Sequence, residues 1–401
     1  MSEAGRADAA GFALRGWQDE ADRGGSSLTD HSVDVVIQDV KAYRFDAPVV
    51  PPIRSSFGWV TERSCLLVSI EDTDGQVGWG EIWTGMPAFG AGHRHDLLTR
   101  IAAPLLIGQR VRRIDHVSQQ LHAAMLPIER LAGEPGPVSQ VIAGIDCALW
   151  DLAATRSGLP LYRLLGGTGA TMATYASGIR PDLDPAAMDS LRQAGFRAFK
   201  FKAGFDDAAT LGHLRRQGRD LAAGEDMMID ANCGWDVAAA ERAFDALADC
   251  PLEWIEEPVG PEVADDAWHR LAARTRHPLA AGEDLLSRSR FEAAFGWLGV
   301  IHPDLGKWGG VSGVVPLARA ALAHGLRYCP HSFGTYVGAA HAAHVLAAVG
   351  GDGRLELDVN VNPLRTLSAP DFPDVIDGRL TLTDRPGIGI AVDIGGLSSL
   401  R

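Results

Sequence analysis

From about residue 172 onward the chain repeats one pattern. A short apolar run is closed by a polar residue and followed by a longer amphipathic stretch rich in Ala, Leu and Arg. The short runs are "MATYASG", "FRAFKFKAG", "DMMIDANCGW", "LEWIEEP", "PLAAGED", "LGVIHPDLG", "LRYCPHSFG" and "RLELDVN". Eight candidate strands with helices between them predict a parallel barrel, because parallel neighbours need a long crossover and a helix supplies it. Seven of the runs close on Lys202, Asp230, Glu256, Glu283, Asp304, His331 and Glu356, at intervals of 28, 26, 27, 21, 27 and 25 residues. Each interval is about one βα unit. A single Asp or Glu after a strand is often only a helix cap or turn residue. Seven ionisable residues in register are hard to obtain from caps alone, and in a barrel these ends converge on one mouth, where catalytic groups sit.

The part before the repeats has a different texture. "VDVVIQDVKAYRF" and "SCLLVSIEDTDGQVGWGEIW" read as strands of a small antiparallel sheet, the second run breaking at the turn signal "DTDGQ". "DAPVVPPIRSSFGW" and "TGMPAFGAGH" carry Gly and Pro and are expected to be mobile loops. "HDLLTRIAAPLLIG", "RRIDHVSQQLHAAML" and "VSQVIAGIDCALWDLAATRSG" read as helices, the last stopped by Gly158. Residues 1 to 32 are rich in Ala, Gly, Ser, Asp and Arg without a basic start, an apolar core and a cleavage site; a flexible tail is expected there and a secretory signal is not.

Composition narrows the function classes. Apolar residues make up 46 % and charged residues 22 % of the 401, and no run approaches the roughly 18 apolar residues of a membrane span, so no membrane partner is expected. A net charge of -14 offers no basic face to nucleic acid. The same charge means that an anionic substrate would need local cations. Five cysteines, Cys65, Cys147, Cys233, Cys250 and Cys329, show no CxxC spacing and no even framework, which speaks against structural zinc and for the cytoplasm.

The strand-end residues suggest a chemistry. Asp230, Glu256 and Glu283 would bring three carboxylates to adjacent ends, and like charges so held need a cation; oxygen ligands without Cys or His indicate Mg2+, or Mn2+. In "IEEP" strand alternation lets only one of Glu256 and Glu257 face inward, and spacing does not decide which. Lys200 and Lys202, two apart on one strand, share the inward face. Their mutual repulsion and partial burial are expected to push a lysine pKa down, so that one takes a proton while the other stays charged. Asp304 and His331 close later strands, where the carboxylate would fix the imidazole tautomer and make a second acid/base group. A divalent ion and a cationic lysine around a carboxylate would acidify its α-carbon, and a protonated Glu356 would donate to the same oxyanion. His302, two residues before Asp304, is read as packed or hydrogen-bonded rather than catalytic. His341 and His344 are read as helix residues rather than a metal pair, and Arg54 and Arg180 as solvent-facing arginines.

Taken together, "GIDCALWDLAATRSGLPLYRLLGG", "KFKAG", "MIDANCGW", "WIEEP", "AAGED", "HPDLGKWGG", "PHSFG" and "DGRLTLTDRPGIGIAVD" resemble the mandelate racemase subgroup of the enolase superfamily, over nearly the whole chain from about Val33. The use of a Lys or His base with Mg2+ to stabilise an ene-diolate is a recognised device of that superfamily. The resemblance implies an α/β fold, a modified TIM barrel of (β/α)7β form with an α+β capping domain. The cap would take residues 33–160, the barrel 161–360, and 361–401 would return to the cap. It makes Asp230, Glu256 and Glu283 the metal ligands, with one Mg2+ per subunit. Lys202 becomes one acid/base and His331 with Asp304 the other; Lys200 would hold the substrate carboxylate, Asn232 support the metal site and Glu356 donate to the enediolate. Loops near 46 to 62 and 84 to 95 would close over the substrate. A homo-oligomer is expected.

Within that subgroup the commonest activity is sugar-acid dehydration, so the expected function is a Mg-dependent lyase converting an aldonate or aldarate to a 2-keto-3-deoxy acid. A racemase or epimerase, or a lactone cycloisomerase, would use the same groups. A barrel metal-hydrolase is disfavoured because the first strand lacks HxH. A binding protein without activity is disfavoured because all seven positions hold competent residues.

Overall fold

The computed structural model describes residues 33–55, 58–204 and 208–400, without the side chains of 54, 55 and 88. The expected tail of residues 1 to 32 lies outside the described residues. Among those described, no helix is long and apolar enough to cross a membrane.

The N-terminal part is a four-stranded antiparallel sheet of β1 (Val35–Ser55), β2 (Gly58–Asp72), β3 (Val77–Ile82) and β4 (Arg110–Val111), in the order β3-β2-β1-β4. Helices α1 (Ala91–Leu97), α2 (Ala103–Leu106), α3 (Ile114–Pro127), α4 (Pro135–Arg156) and α5 (Leu161–Leu164) accompany it. Every residue of α4 from Val138 to Ala154 is buried. The sequence makes that possible through glycine, since a Cβ on Gly80 would stand 2.1 Å from the Gly144 carbonyl oxygen and one on Gly78 2.2 Å from that of Ala148. Backbone meets backbone there, which only glycine permits.

The first expected loop is different in the structure. Strands β1 and β2 continue through it as a long hairpin, with Ala47 opposite Arg63, Pro48 opposite Glu62 and Ile53 opposite Val60, and an irregularity between Pro48 and Ile53. Proline withholds a donor but tolerates an edge or a bulge, so the three prolines here mark an irregular hairpin rather than its absence. The second expected loop is irregular only at its start, passing through a 3-10 turn at Ala88–Gly90 into α1.

The barrel strands are β5 (Thr171–Ile179), β6 (Ala198–Lys202), β7 (Asp226–Asp230), β8 (Leu252–Glu256), β9 (Leu279–Ala281), β10 (Val300–Ile301), β11 (Arg327–Tyr328) and β12 (Arg354–Asp358). Between them run α6 (Pro185–Gln193), α7 (Ala208–Arg219), α8 (Val237–Ala246), α9 (Asp265–Arg274), α10 (Arg288–Ala294), α11 (Gly310–Ala323) and α12 (Tyr336–Val349). Strands β5 to β11 pair in succession in parallel, and β12 pairs with β5 to bring the ends together, giving (β/α)7β. Period-two alternation divides the side chains. Phe199, Phe201, Met227, Ile229 and Ile255 join the large outer core, while Tyr175, Ala198, Met228 and Trp254 fill the interior. The C-terminal segment divides as well. α13 (Pro363–Ser368) and α14 (Ile394–Ser398) contact β1, whereas the hairpin β13 (Val375–Ile376) and β14 (Arg379–Thr381) pairs antiparallel with the first barrel strand β5.

Candidate active site

Register places the site. Lys202 on β6 pairs with Asp230 on β7, and Asp230 pairs with Glu256 on β8, so three of the singled-out residues stand side by side in one rung. Lys200 lies one inward position below. Its Nζ is 2.7 Å from Glu256 Oε2, 2.8 Å from Glu356 Oε1 and 4.0 Å from Asp230 Oδ2. Lys202 Nζ donates to Asp230 Oδ2 and to Asn232 Oδ1, both at 2.7 Å.

These contacts overturn two expectations about charge. Burial alone would lower both lysine pKa values, yet Glu256 and Glu356 around Lys200 outweigh it and hold that ammonium well above its usual range. Burial likewise opposes the charge on Lys202, and Asp230 outweighs it, so its pKa is raised as well. Repulsion between the lysines is the weaker effect because each has a carboxylate at hydrogen-bond distance. Glu356 is not a protonated donor here. Burial pushes its carboxyl up, but Lys200 and His331 bring it down to about 2, and its oxygens accept from Ser177 Oγ at 2.5 Å and from the Ser332 amide at 3.1 Å.

On the other side of the mouth, Asp304 Oδ2 lies 2.6 Å from His331 Nδ1, and His331 Nε2 is 2.8 Å from Glu283 Oε2. Burial disfavours the imidazolium, but Glu283, Glu356 and the bond to Asp304 together raise its pKa well above the ordinary value. Asn232 closes the ring, its amide bonded to Asp230 Oδ1 and its Nδ2 3.5 Å from Glu283 Oε1. Lys202 and His331 are thus joined through Asp230, Asn232 and Glu283.

Asp230, Glu256 and Glu283 fit a divalent cation on two observations. Glu256 Oε1 is fully buried with no hydrogen-bond partner among the described residues. Asp230, Glu256, Glu283, Asp304 and Glu356 also place five carboxylates around four basic groups, Lys200, Lys202, Lys307 and His331. Of the "EE" pair, Glu256 is the one that faces Lys200, while Glu257 turns toward Cys233 Sγ at 3.7 Å. Among the described residues, Cys233, Glu257 and Asp284, outward neighbours of that set, bring their ligand atoms within 4.8 Å of one another. In the inward set, ammonium groups stand among the carboxylates instead.

Several further residues fall into place. His302 is fully buried, packed edge-on against Trp254 with ring centres 5.3 Å apart and Nδ1 3.4 Å from Glu256 Oε1; burial, and the positive charge of Lys200, hold its pKa well below the usual value. His341 is spent on the carbonyls of Val337 and Cys147, and His344 accepts from the Tyr162 amide, so they do not form a metal pair. Arg180 makes an exposed pair with Asp182. The side chain of Arg54 lies outside the described residues.

Two residues near the site carried no signal in the strand-end spacing. Lys307 Nζ binds Glu283 Oε2 at 2.9 Å and stands 4.7 Å from the Trp83 ring centre. Glu81, at the end of β3, accepts from the Thr335 amide and hydroxyl and from the Gly338 amide, and so holds the start of α12 just after the His331 loop. The usable clue for Glu81 was a lone carboxylate in the apolar, glycine-bearing "GWGEI".

The fold and its mouth define the chain as a capped (β/α)7β barrel enzyme. Residues 32–166 match the mandelate racemase / muconate lactonizing enzyme N-terminal domain, and residues 183–395 match the enolase C-terminal domain-like family. The chain belongs to the enolase superfamily and is a lyase or isomerase of its mandelate racemase / muconate lactonizing enzyme branch. It is 31 % identical over 385 residues to a D-galactarolactone cycloisomerase of Agrobacterium fabrum, covering 90 % of this chain and 98 % of that one. Its structure is similar to that of a mandelate racemase/muconate lactonizing enzyme from Bordetella bronchiseptica RB50, at 40 % identity and TM-score 0.85, over 92 % and 100 % of the two chains. It is also similar to a racemase from Streptomyces coelicolor A3(2) with bound magnesium, at 28 % identity and TM-score 0.82, over 91 % and 99 %. Other relatives are named as dehydratases of sugar acids, and the magnesium-bound neighbours support Mg2+ as the ion.

Proposed function

We propose that the chain removes the proton α to the carboxylate of a sugar acid and expels the β-hydroxyl as water, giving a 2-keto-3-deoxy acid. The observation that carries this reading is the chain of contacts from Lys202 through Asp230, Asn232 and Glu283 to His331, which sets two proton carriers from different strands around one carboxylate cluster. Asp230, Glu256 and Glu283 would hold one Mg2+ per subunit, or Mn2+. When bound, the ion supplies positive charge that stabilises an enediolate.

The residues then divide the work. Lys200 presents an ammonium to the substrate carboxylate and balances the second negative charge that develops when the proton leaves. The neutral form of Lys202 or of His331 takes the α-proton onto Nζ or Nε2, so the carrier that abstracts must first release to solvent the proton that its neighbouring carboxylates favour. His331, protonated and held in orientation by Asp304, returns a proton to the departing hydroxyl; the C–O bond breaks with its electron pair on oxygen, and water leaves. The resulting enol tautomerises to the keto acid. Residues 33–160 would act as the cap over this site, 161–360 as the barrel, and 361–401 as a strap between them.

Lactone cycloisomerisation is a second reading through the same proton abstraction, favoured by the similarity to a D-galactarolactone cycloisomerase along almost its full length. Incubation of aldonates, aldarates and their lactones with Mg2+ in deuterated water tests both. A 2-keto-3-deoxy product from an open-chain acid supports the dehydratase. Turnover of lactones alone selects the cycloisomerase, and α-deuteration with inversion and no keto product selects a racemase and overturns both.

A further inference from the structure

The hairpin of the N-terminal sheet brings one charged side chain to the barrel mouth. Arg63, opposite Ala47 in the β1–β2 ladder, donates from Nη1 to Asp358 Oδ2 at 2.7 Å, and its guanidinium carbon is 5.1 Å from the centre of the Phe333 ring. The side chain is only 13 % exposed. The same ring lies nearly parallel to that of His331, with centres 6.2 Å apart, and Lys202 Nζ is 5.7 Å from its centre. Both proton carriers and Arg63 therefore border one aromatic ring. Arg63 and Lys202 are separated by no more than the sum of their distances to it, which a six-carbon acid chain can bridge.

Asp358 is satisfied without Arg63. Its Oδ2 also accepts from Arg365 Nη1 at 2.7 Å, and its Oδ1 accepts from the Asn360 amide at 2.9 Å and from Asn360 Nδ2 at 2.7 Å. Two guanidinium groups face one carboxylate, which leaves one positive charge over in a chain whose net charge is -14. Among the described residues Asp358 is the hydrogen-bonded partner of Arg63, and a guanidinium carries five N–H donors. A nearly buried cation with unused donors calls for an anion. Asp358 stands two residues after Glu356 on β12, so Arg63 is anchored one inward rung above the layer of Glu356 and Lys200, on the solvent side of the chemistry.

We infer that Arg63 binds the second carboxylate of a dicarboxylic sugar acid, so that the substrate is an aldarate or its lactone rather than an aldonate, whose far end is a neutral alcohol. A planar guanidinium reads a carboxylate with two parallel hydrogen bonds and discriminates against a hydroxyl that cannot accept both with charge. The inference rests on the sugar-acid reading for the reacting end only.

The test uses the full chain with Mg2+. Calorimetry compares adipate with hexanoate as unreactive probes, and kcat/KM is measured for matched aldarates and aldonates in wild type, Arg63→Met and Arg63→Lys. Wild type is expected to bind adipate at least about tenfold tighter than hexanoate, and Arg63→Met to abolish that preference. The aldarate-to-aldonate ratio of kcat/KM should fall by about 30-fold or more in Arg63→Met, mainly through KM, with Arg63→Lys between. Equal binding of the two probes by wild type overturns the inference. So does an unchanged ratio in Arg63→Met, which would make Arg63 a latch between hairpin and barrel. Melting temperatures identify a variant that fails to fold, in which case Arg63→Lys carries the test. If no sugar acid exchanges its α-proton yet adipate is still preferred through Arg63, the dehydratase reading falls and the subsite stands.

Discussion

Glu81 holds Thr335 across the seam between the N-terminal sheet and the barrel. The Thr335 amide donates to both carboxylate oxygens at 3.0 Å and its hydroxyl to Oε2 at 2.7 Å. Thr335, four residues after His331, is the N-cap of α12. Glu81 therefore acts on the proton carrier through the loop that carries it. Glu81→Ala is expected to lower kcat by on the order of 10–100-fold with little change in KM, because the reacting groups lose alignment while the substrate contacts remain. Equal loss in kcat and gain in KM, measured in steady-state assays, would point to a collapsed mouth instead.

The buried carboxylates along the same seam set a pH dependence of stability. Burial pushes Glu81 and Asp151 each up to about 7 and Asp146 up to about 6. A folded chain that keeps these protons longer than the unfolded chain is favoured at low pH, so this contribution is present in full below about pH 4 and is lost as pH rises through about 7. Each tenfold change in proton affinity is worth about 1.4 kcal/mol. Asp151 accepts from the Trp79 and Ile388 amides at 2.7 Å, so Asp151→Asn removes both the titration and one acceptor. Denaturant unfolding of both forms should show the wild-type advantage shrinking from pH 5 to pH 8; a growing advantage would contradict the assignment.

Five carboxylates around three lysines and the His331 imidazolium are expected to make the mouth responsive to a divalent ion. Saturating Mg2+ should raise the melting temperature of the wild type, an effect equivalent to about 2.7 kcal/mol when the ion is at a hundred times its Kd. Glu256→Gln should abolish most of that increment, since Glu256 Oε1 is a buried carboxylate oxygen at the mouth that accepts no hydrogen bond from the described residues. A full Mg2+ response in that variant, read by thermal unfolding with and without chelator, would place the ion elsewhere.

The two proton carriers should separate in their partial reactions. Lys202→Ala and His331→Asn are each expected to lower turnover by about 10²–10⁴-fold, the usual yield of a positioned acid or base. The variant that keeps the abstracting base should still exchange the α-proton with deuterated solvent, followed by NMR. Loss of exchange in neither variant would remove both residues from the abstraction step.

Close backbone packing gives a stability prediction distant from the chemistry. A Cβ at Gly144 would stand 2.4 Å from Ile82 Cγ1 and 3.0 Å from the Glu81 carbonyl oxygen. Gly144→Ala should cost about 1–3 kcal/mol by overpacking and, by displacing β3, weaken the Glu81 cap as well. A gain in melting temperature would show that the helix shifts without strain.

Local periodicity carried much of this protein on its own. Alternation of two placed Lys200 and Lys202 on one face, and the spacing of one βα unit brought Lys202, Asp230, Glu256, Glu283, Asp304, His331 and Glu356 to one mouth, because both depend only on strand geometry and crossover length. What those residues touch was decided by the tertiary structure. The charge of Lys200 follows from Glu256 and Glu356, and that of Glu356 from Lys200 and His331, groups brought together from separate parts of the barrel. Arg63 and Glu81 reach the site from strands far back in the chain, 295 residues from Asp358 and 254 from Thr335. Such contacts follow from how the N-terminal sheet docks on the barrel, a long-range packing outcome that no local pattern encodes, and there the hairpin supplied a cation where the sequence predicted only a mobile loop.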